Sequence, residues 1–286
     1  MNRNLRSVVI ITLITFVFLT AIFFGLPQNN FTYALQSRSD DKISLAKREE
    51  AYRANNIGVA KLEQYNHKDA VAEFRQALTI DPKMKIAQIN LAIALFNAQE
   101  LEESLKAAKT AAELAPEMPQ PFYILGLIAK SEGRVEDAAA AFQKVLTMDK
   151  HDVGANVNLG QLYIQKRNYE EATKYLRRAL EAEPYNSTAI YNLATTLLRT
   201  DAHDEGKQLM LRFQELRQSG AATNIGQKYL EQGRYAEAIV STGAESELVD
   251  KTMLKVVFQN ADIGLPDAVS EKNASDKSSP ETSTHT

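Results

Sequence analysis

Residues 119–184 read PQPFYILGLIAKSEGRVEDAAAAFQKVLTMDKHDVGANVNLGQLYIQKRNYEEATKYLRRALEAEP. Shifted by 34 positions, the stretch lies over itself: Leu125 falls on Leu159, Gly126 on Gly160, Ala138 on Ala172, Phe142 on Leu176 and Val145 on Ala179. The same grid carries Pro82, Pro116 and Pro184, with a small residue twelve positions before each: Ala70, Ser104 and Ala172. A repeat of this length made of two helices cannot bury its apolar face alone and must stack on its neighbours. The period therefore predicts an α-solenoid that acts through its surface.

Working outward, the first repeat runs from Ala51 to Met84 and orders Gly58, Ala70, Phe74, Ala77 and Pro82; the second runs from Lys85 to Met118. The third gives Phe122, Leu125, Gly126, Gly133, Ala138, Phe142 and Val145, and the fourth Leu159, Gly160, Tyr163, Tyr169, Ala172, Leu176, Ala179 and Pro184. This order resembles the tetratricopeptide repeat, in which a large residue precedes a small one in helix A, and small, aromatic, small and proline follow along helix B. The resemblance implies an all-α, right-handed α-solenoid of about five to six helix pairs, preceded by one transmembrane helix read from the N-terminus. Departures are local. Lys150 replaces a closing proline, Lys61 an aromatic of helix A, and Ala108 an aromatic of helix B. A fifth repeat, Ser187 to Gln218, is degenerate in its second helix, with Gly206, Met210, Phe213 and no proline. A sixth unit is expected at Ile225 to Ile239, where Gly226, Tyr229, Gly233, Tyr235 and Ala238 restore the signature, and Glu245 to Phe258 is expected to cap the stack.

Composition narrows the function classes. A net charge of -3, with both signs mixed along every helix, argues against a nucleic-acid partner, which would call for a basic stripe. The absence of cysteine removes disulfides, thiolate metal sites and a cysteine nucleophile.

Location is read from the N-terminus. Arg3 and Arg6 precede an uncharged run, Val8 to Leu26, that ends at Pro27. As a helix rising about 1.5 Å per residue, the run spans a hydrocarbon core of roughly 30 Å. The basic flank keeps the N-terminus cytoplasmic and sends the remainder across. The alternative is a cleaved signal peptide with Thr32-Tyr33-Ala34 at its cleavage site; both export the repeats, to the periplasm in a bacterium. The expected organisation is a signal-anchor or signal peptide at 1–27, a tether at 28–40, the repeat array at 41–244, a capping helix and end segment at 245–268 and a disordered tail at 269–286. Asp40 or Asp41 is expected to cap a first helix starting near Lys42.

No catalytic constellation is found. His67, His151, His203 and His285 are isolated, and neither a phosphate loop nor a nucleophile elbow occurs. The acidic pairs Glu102-Glu103 and Glu170-Glu171 suit the first turn of a helix B. The chain is read as a non-enzyme without metal, cofactor or small-molecule substrate. Its oligomeric state is left open.

The candidate site lies on helix A, which in the repeat family forms the inner surface. Asn56, Asn90, Asn158 and Asn192 occupy one equivalent position in four of five consecutive repeats, with Ile124 in the remaining slot. An asparagine offers a donor and an acceptor, so a row of them can pair with the amides of an extended peptide whatever its sequence; such asparagines can also serve helix packing or the adjacent turn. Tyr52, Ile89, Ile93, Phe96, Tyr123, Leu127, Val157, Gln161, Tyr191 and Thr195 flank them, a mixed apolar and neutral groove. Basic residues are too sparse there to resemble the carboxylate clamp of chaperone-binding members. The expected role is a membrane-tethered scaffold that binds partner proteins or extended peptides on the exported side. The alternatives are an assembly subunit of an envelope machine for secretion, cytochrome maturation or cell-wall synthesis, and the repeat portion of a truncated exported protein that joins such an array to a β-propeller.

Overall fold

Where the grid places prolines, helices stop. The structure is a computed structural model that describes residues 43–242. They form five antiparallel helix pairs: α1 (Leu45–Glu63) with α2 (His67–Ile80), α3 (Lys85–Asn97) with α4 (Leu101–Leu114), α5 (Pro119–Ser131) with α6 (Val135–Met148), α7 (Val153–Gln165) with α8 (Tyr169–Ala182), and α9 (Ser187–Leu197) with α10 (His203–Ser219). Pro82, Pro116 and Pro184 each stand two residues beyond a helix B, because a proline disfavours helical backbone in the residue before it. Starts are set by side-chain caps: Ser44, Asp152, Asn168 and Asn186 accept from backbone N–H groups of α1, α7, α8 and α9. Ser44 thus takes the role expected of Asp40 or Asp41, and α1 begins at Leu45. The anchor, tether, capping-helix and tail segments proposed from the sequence lie outside the described residues. Among the described residues, no helix is long and apolar enough to cross a membrane.

The small residues of the grid are where the two helices of a pair meet. Ala70, Ser104, Ala138 and Ala172 are fully buried. Opposite them, a β-carbon added to Gly58, Gly126 or Gly160 would run into Phe74, Phe142 or Leu176, so a missing side chain on helix A makes room for a large one on helix B. The second repeat fills the same two grid positions with the buried Ala92 and Ala108, and the Ser104 hydroxyl donates to the Ala92 carbonyl at 2.8 Å. Ala108 is therefore a matched substitution, not a defect. Lys61, in place of an aromatic, pairs with Glu73 of α2.

Successive repeats pack mainly through each even-numbered helix against the odd-numbered helix that follows it. The odd-numbered helices also meet one another, α1 with α3, α3 with α5 and α7 with α9, while α5 reaches α7 through Tyr123 and Lys130 on Asn158, so that they form one wall. On the other side, Arg75 reaches Glu103 and Arg177 reaches Glu205, joining neighbouring even-numbered helices. These pairs are half exposed and contribute at most about 1 kcal/mol each. The fifth pair is thinly packed: α10 buries only Gly206 and Leu216.

The expected sixth helix pair is absent. After Gly220, whose φ of 70° ends α10, residues 221–242 contain no helix beyond the short 3-10 turn Arg234–Ala236. The physical reason is that this segment makes only short turns of its own and satisfies Ile225, Gln232, Ile239 and Ser241 against side chains of the odd-numbered helices.

Candidate peptide-binding groove

Residues 223–241 cross the wall in the direction opposite to the repeats, from α9 back to α1. Entry is a single parallel bridge between Thr223 and Asn186, followed by a reciprocal pair in which Thr188 Oγ1 accepts from the Ile225 N–H at 3.0 Å and donates to its carbonyl at 3.1 Å. A turn then closes with Gly226 N–H on the Glu231 carbonyl at 2.7 Å.

At the centre, the Tyr123 hydroxyl of α5 donates to the Gln232 carbonyl at 2.5 Å and accepts from Asn158 Nδ2 at 3.2 Å. Burial holds this phenol well above its usual range, so it remains a donor. Gly233 passes over Gly154 of α7 with φ at 104°, and a β-carbon on either glycine would strike the Tyr123 hydroxyl. Only glycine combines that backbone with that approach. Next, Arg234 pairs with Asp149 and lies 3.3 Å from Asp152, while the Tyr235 hydroxyl donates to Asp149 at 2.9 Å. Arg234 also stacks on the Tyr235 ring at 4.6 Å. Burial pushes the Asp152 carboxyl up to about 6, offset in part by the Ala155 N–H it caps.

Beyond this cluster the chain is extended and is read by side-chain amides. Asn90 Oδ1 accepts from the Ile239 N–H at 2.7 Å and Asn90 Nδ2 donates to the Ile239 carbonyl at 2.8 Å. Asn55 Nδ2 adds a second donor to that carbonyl at 3.1 Å and its own Oδ1 accepts from Asn90 at 2.8 Å. Two residues on, Asn56 repeats the grip on Ser241, accepting its N–H at 2.8 Å and donating to its carbonyl at 3.0 Å. Ile239 and Ser241 share one side of the extended chain and Val240, 55% exposed, points to the other, as a period of two requires. Beside Ser241, Tyr52, Asn56 and Ile57 line an open cleft of about 550 Å³.

Of the four asparagines on the grid, Asn56 and Asn90 meet the chain segment. Asn158 does not: its Nδ2 also donates to the Gly154 carbonyl at 2.8 Å, and its Oδ1 accepts from Lys130 Nζ at 2.6 Å. Asn192 bonds back to the Thr188 carbonyl of its own helix at 2.9 Å. Ile89, Ile93 and Val157 are fully buried in the core, and Phe96 and Leu127 pack half-buried against it. Gln161 accepts from Lys130 at 2.5 Å, Tyr191 is exposed against Phe213 with ring centroids 5.2 Å apart, and the Thr195 hydroxyl bonds back to the Tyr191 carbonyl. Desolvation of the half-buried Lys130 lowers its ammonium to about 8.

Sequence reasoning missed Asn55, Asp149, Asp152 and Gly154. Asn55 carried a signal: it stands one residue before Asn56, on the column that holds Tyr123 in the third repeat, and both residues reach the segment. Asp149 and Asp152 flank the position of the missing third proline, where only the fold brings them to Arg234.

The repeat identity follows from geometry and comparison together. Models of the tetratricopeptide repeat match residues 55–119, 89–153 and 123–187, and a model of anaphase-promoting complex, cyclosome, subunit 3 matches residues 165–244. The described helices are a tetratricopeptide-repeat array, a fold whose members hold other proteins. Among curated proteins, small glutamine-rich tetratricopeptide repeat-containing protein 2 of Saccharomyces cerevisiae is 26% identical over 144 residues, covering 50% of this chain and 38% of that protein. The CTR9 homolog of Arabidopsis thaliana is 28% identical over 145 residues, 49% of this chain and 13% of that one. The match thus spans less than two fifths of either relative. Among solved structures, MamA from Desulfovibrio magneticus RS-1 is 18% identical with a TM-score of 0.54, covering 62% of this chain and 98% of that structure. Pseudomonas aeruginosa pilF is 20% identical with a TM-score of 0.55, covering 59% and 77%. At these identities the likeness is one of fold.

Proposed function

We propose that this protein is a membrane-tethered, non-catalytic scaffold that binds an extended segment of a partner protein along the wall of odd-numbered helices, on the exported side of the membrane. The observation that carries the binding mode is the paired grip of Asn90 on Ile239 and Asn56 on Ser241, which addresses main-chain amides and so suits any extended chain. The tether and its orientation rest on the uncharged run from Val8 to Leu26 behind Arg3 and Arg6.

The reading is tested with a photo-crosslinking residue at Ile57, beside the Asn56 grip, and in a control at Thr79 on α2. Partner chains crosslinked at position 57 but not at 79 are the expected result. Equal capture at both positions would overturn the groove as the binding surface. A protease added to intact cells reports orientation: cleavage of the repeats only after the membrane is opened to the exported compartment is expected, and protection in that compartment would place the array on the cytoplasmic side.

A further inference from the structure

The asparagine grips are blind to sequence, yet the segment that lies in the groove meets three places that are not. The first is the slot between Tyr123 and Gly154, which excludes any β-carbon and therefore demands glycine at position 233. The second is the acidic pair Asp149 and Asp152 at the start of α7, which takes the Arg234 guanidinium and, through Asp149, the Tyr235 hydroxyl. A lysine could not both span two carboxylates and lie flat on the aromatic ring. The third is apolar: Ala236 is fully enclosed and Ile239 packs on the main core cluster, while Glu237 and Val240 face solvent.

We propose that the groove selects an extended partner segment carrying Gly-Arg-aromatic-small, with an aliphatic residue three positions after the small one, and that residues 232–241 of this chain are a built-in occupant such a segment must displace. This rests on the extended-peptide reading above and gives it a specificity. The occupant is suited to exchange. Most of its specific hold is side chain to main chain or a single ion-pair cluster, contacts that a second chain of the same chemistry makes equally well. Among the described residues, its covalent link to the array is the largely exposed stretch after Gly220. A covalently tethered occupant competes at an effective concentration near the millimolar range, so it lowers apparent affinity for a free segment by the fraction of time the groove is empty.

The test uses the full-length chain in detergent and a labelled synthetic peptide with the sequence of residues 229–242. Two proteins are compared, the natural chain and the double variant Arg234→Ala/Ile239→Ser, which weakens the occupant and leaves every wall residue intact. The expected result is binding to the variant at least about tenfold tighter than to the natural chain, with at least a tenfold loss when the peptide's arginine is replaced by glutamate. In the natural chain, excess peptide is expected to speed hydrogen exchange at the Ile239 and Ser241 amides. Equal affinity for both proteins would show that the segment does not occlude the groove, indifference to the arginine would remove the specificity, and binding to neither would overturn the proposal. Crosslinking at position 57 keeps the two readings apart, because partner capture there that persists alongside a failed peptide experiment leaves the scaffold standing and removes only the built-in occupant. An unchanged far-ultraviolet dichroism spectrum confirms that the double variant remains folded.

Discussion

Asn90 holds Ile239 by both ends of one residue, its carboxamide accepting the N–H at 2.7 Å and donating to the carbonyl at 2.8 Å. This is the exchange that a neighbouring strand would provide, made here by one side chain of a helix. Because the amide is fully buried, both of its partners must be present or the site carries unsatisfied polar groups.

Replacing Asn90 with alanine is accordingly expected to weaken docking of the segment by about 1–3 kcal/mol. Hydrogen exchange at the Ile239 amide should accelerate by tenfold or more. Asn192→Ala, which loses only a bond to its own helix, should leave that rate unchanged and shift array stability by no more than about 0.5 kcal/mol.

Gly233→Ala separates the segment from the array. Its φ of 104° and the Tyr123 hydroxyl both oppose a side chain there, so the variant is expected to release the segment. Exchange at Ile239 and Ser241 should rise together, while the far-ultraviolet helical signal of the five pairs persists. Loss of helix in step with release would show that the segment is part of the array's cooperative core.

The fold was legible because packing repeats. Gly58, Gly126 and Gly160 and the residues opposite them report one contact several times over, and each copy supports the others. Residues 225–239 carry the same local signature without the same fate, and the match of the anaphase-promoting complex subunit 3 model, over residues 165–244, runs across them. Local pattern specifies a helix pair only when the pair has a face to stack on. Here Tyr123, Asn90, Asn56 and the Asp149–Asp152 pair satisfy the backbone of the segment in another conformation. The spacing of the four asparagines likewise put them on equivalent turns, but it held no information on how each amide is used. Lys130 and Tyr123 occupy that of Asn158, and they come from another repeat.

Stability should be uneven along the solenoid. With only Gly206 and Leu216 buried on α10, the fifth pair has less to lose on opening than α5–α8. Amide exchange in α9 and α10 is expected to be faster than in the two central pairs; uniform protection across all ten helices would contradict this.

Lys130 supplies a pH signature at the alkaline end. Its folded value of about 8 lies below the ordinary 10.5, so between these values the unfolded chain holds a proton that the folded chain has released. Stability should therefore rise as pH increases from about 8 to about 10.5, by up to about 3 kcal/mol from this residue. Lys130→Met, uncharged throughout, should flatten that rise in denaturant titrations.

Asp152 gives the opposite signature at the acid end. Burial raises its carboxyl to about 6 from the ordinary 3.8, so between these values the folded chain binds a proton that the unfolded chain does not. Its contribution is therefore fully present below about pH 4 and is lost as pH rises through about 6, by up to about 3 kcal/mol. Asp152→Asn keeps an N-cap for α7 and has no charge to bury, so the difference in stability between the variant and the natural chain should grow in the variant's favour from pH 4 to pH 7. The segment should respond in the reverse sense. Arg234 loses one of its two carboxylates as Asp152 is protonated, so exchange at Ile239 should quicken below about pH 6, after correction for the intrinsic rate, even as the array becomes more stable. Protection of the segment that instead tracks array stability through this range would mean that the Arg234–Asp152 contact contributes nothing to docking.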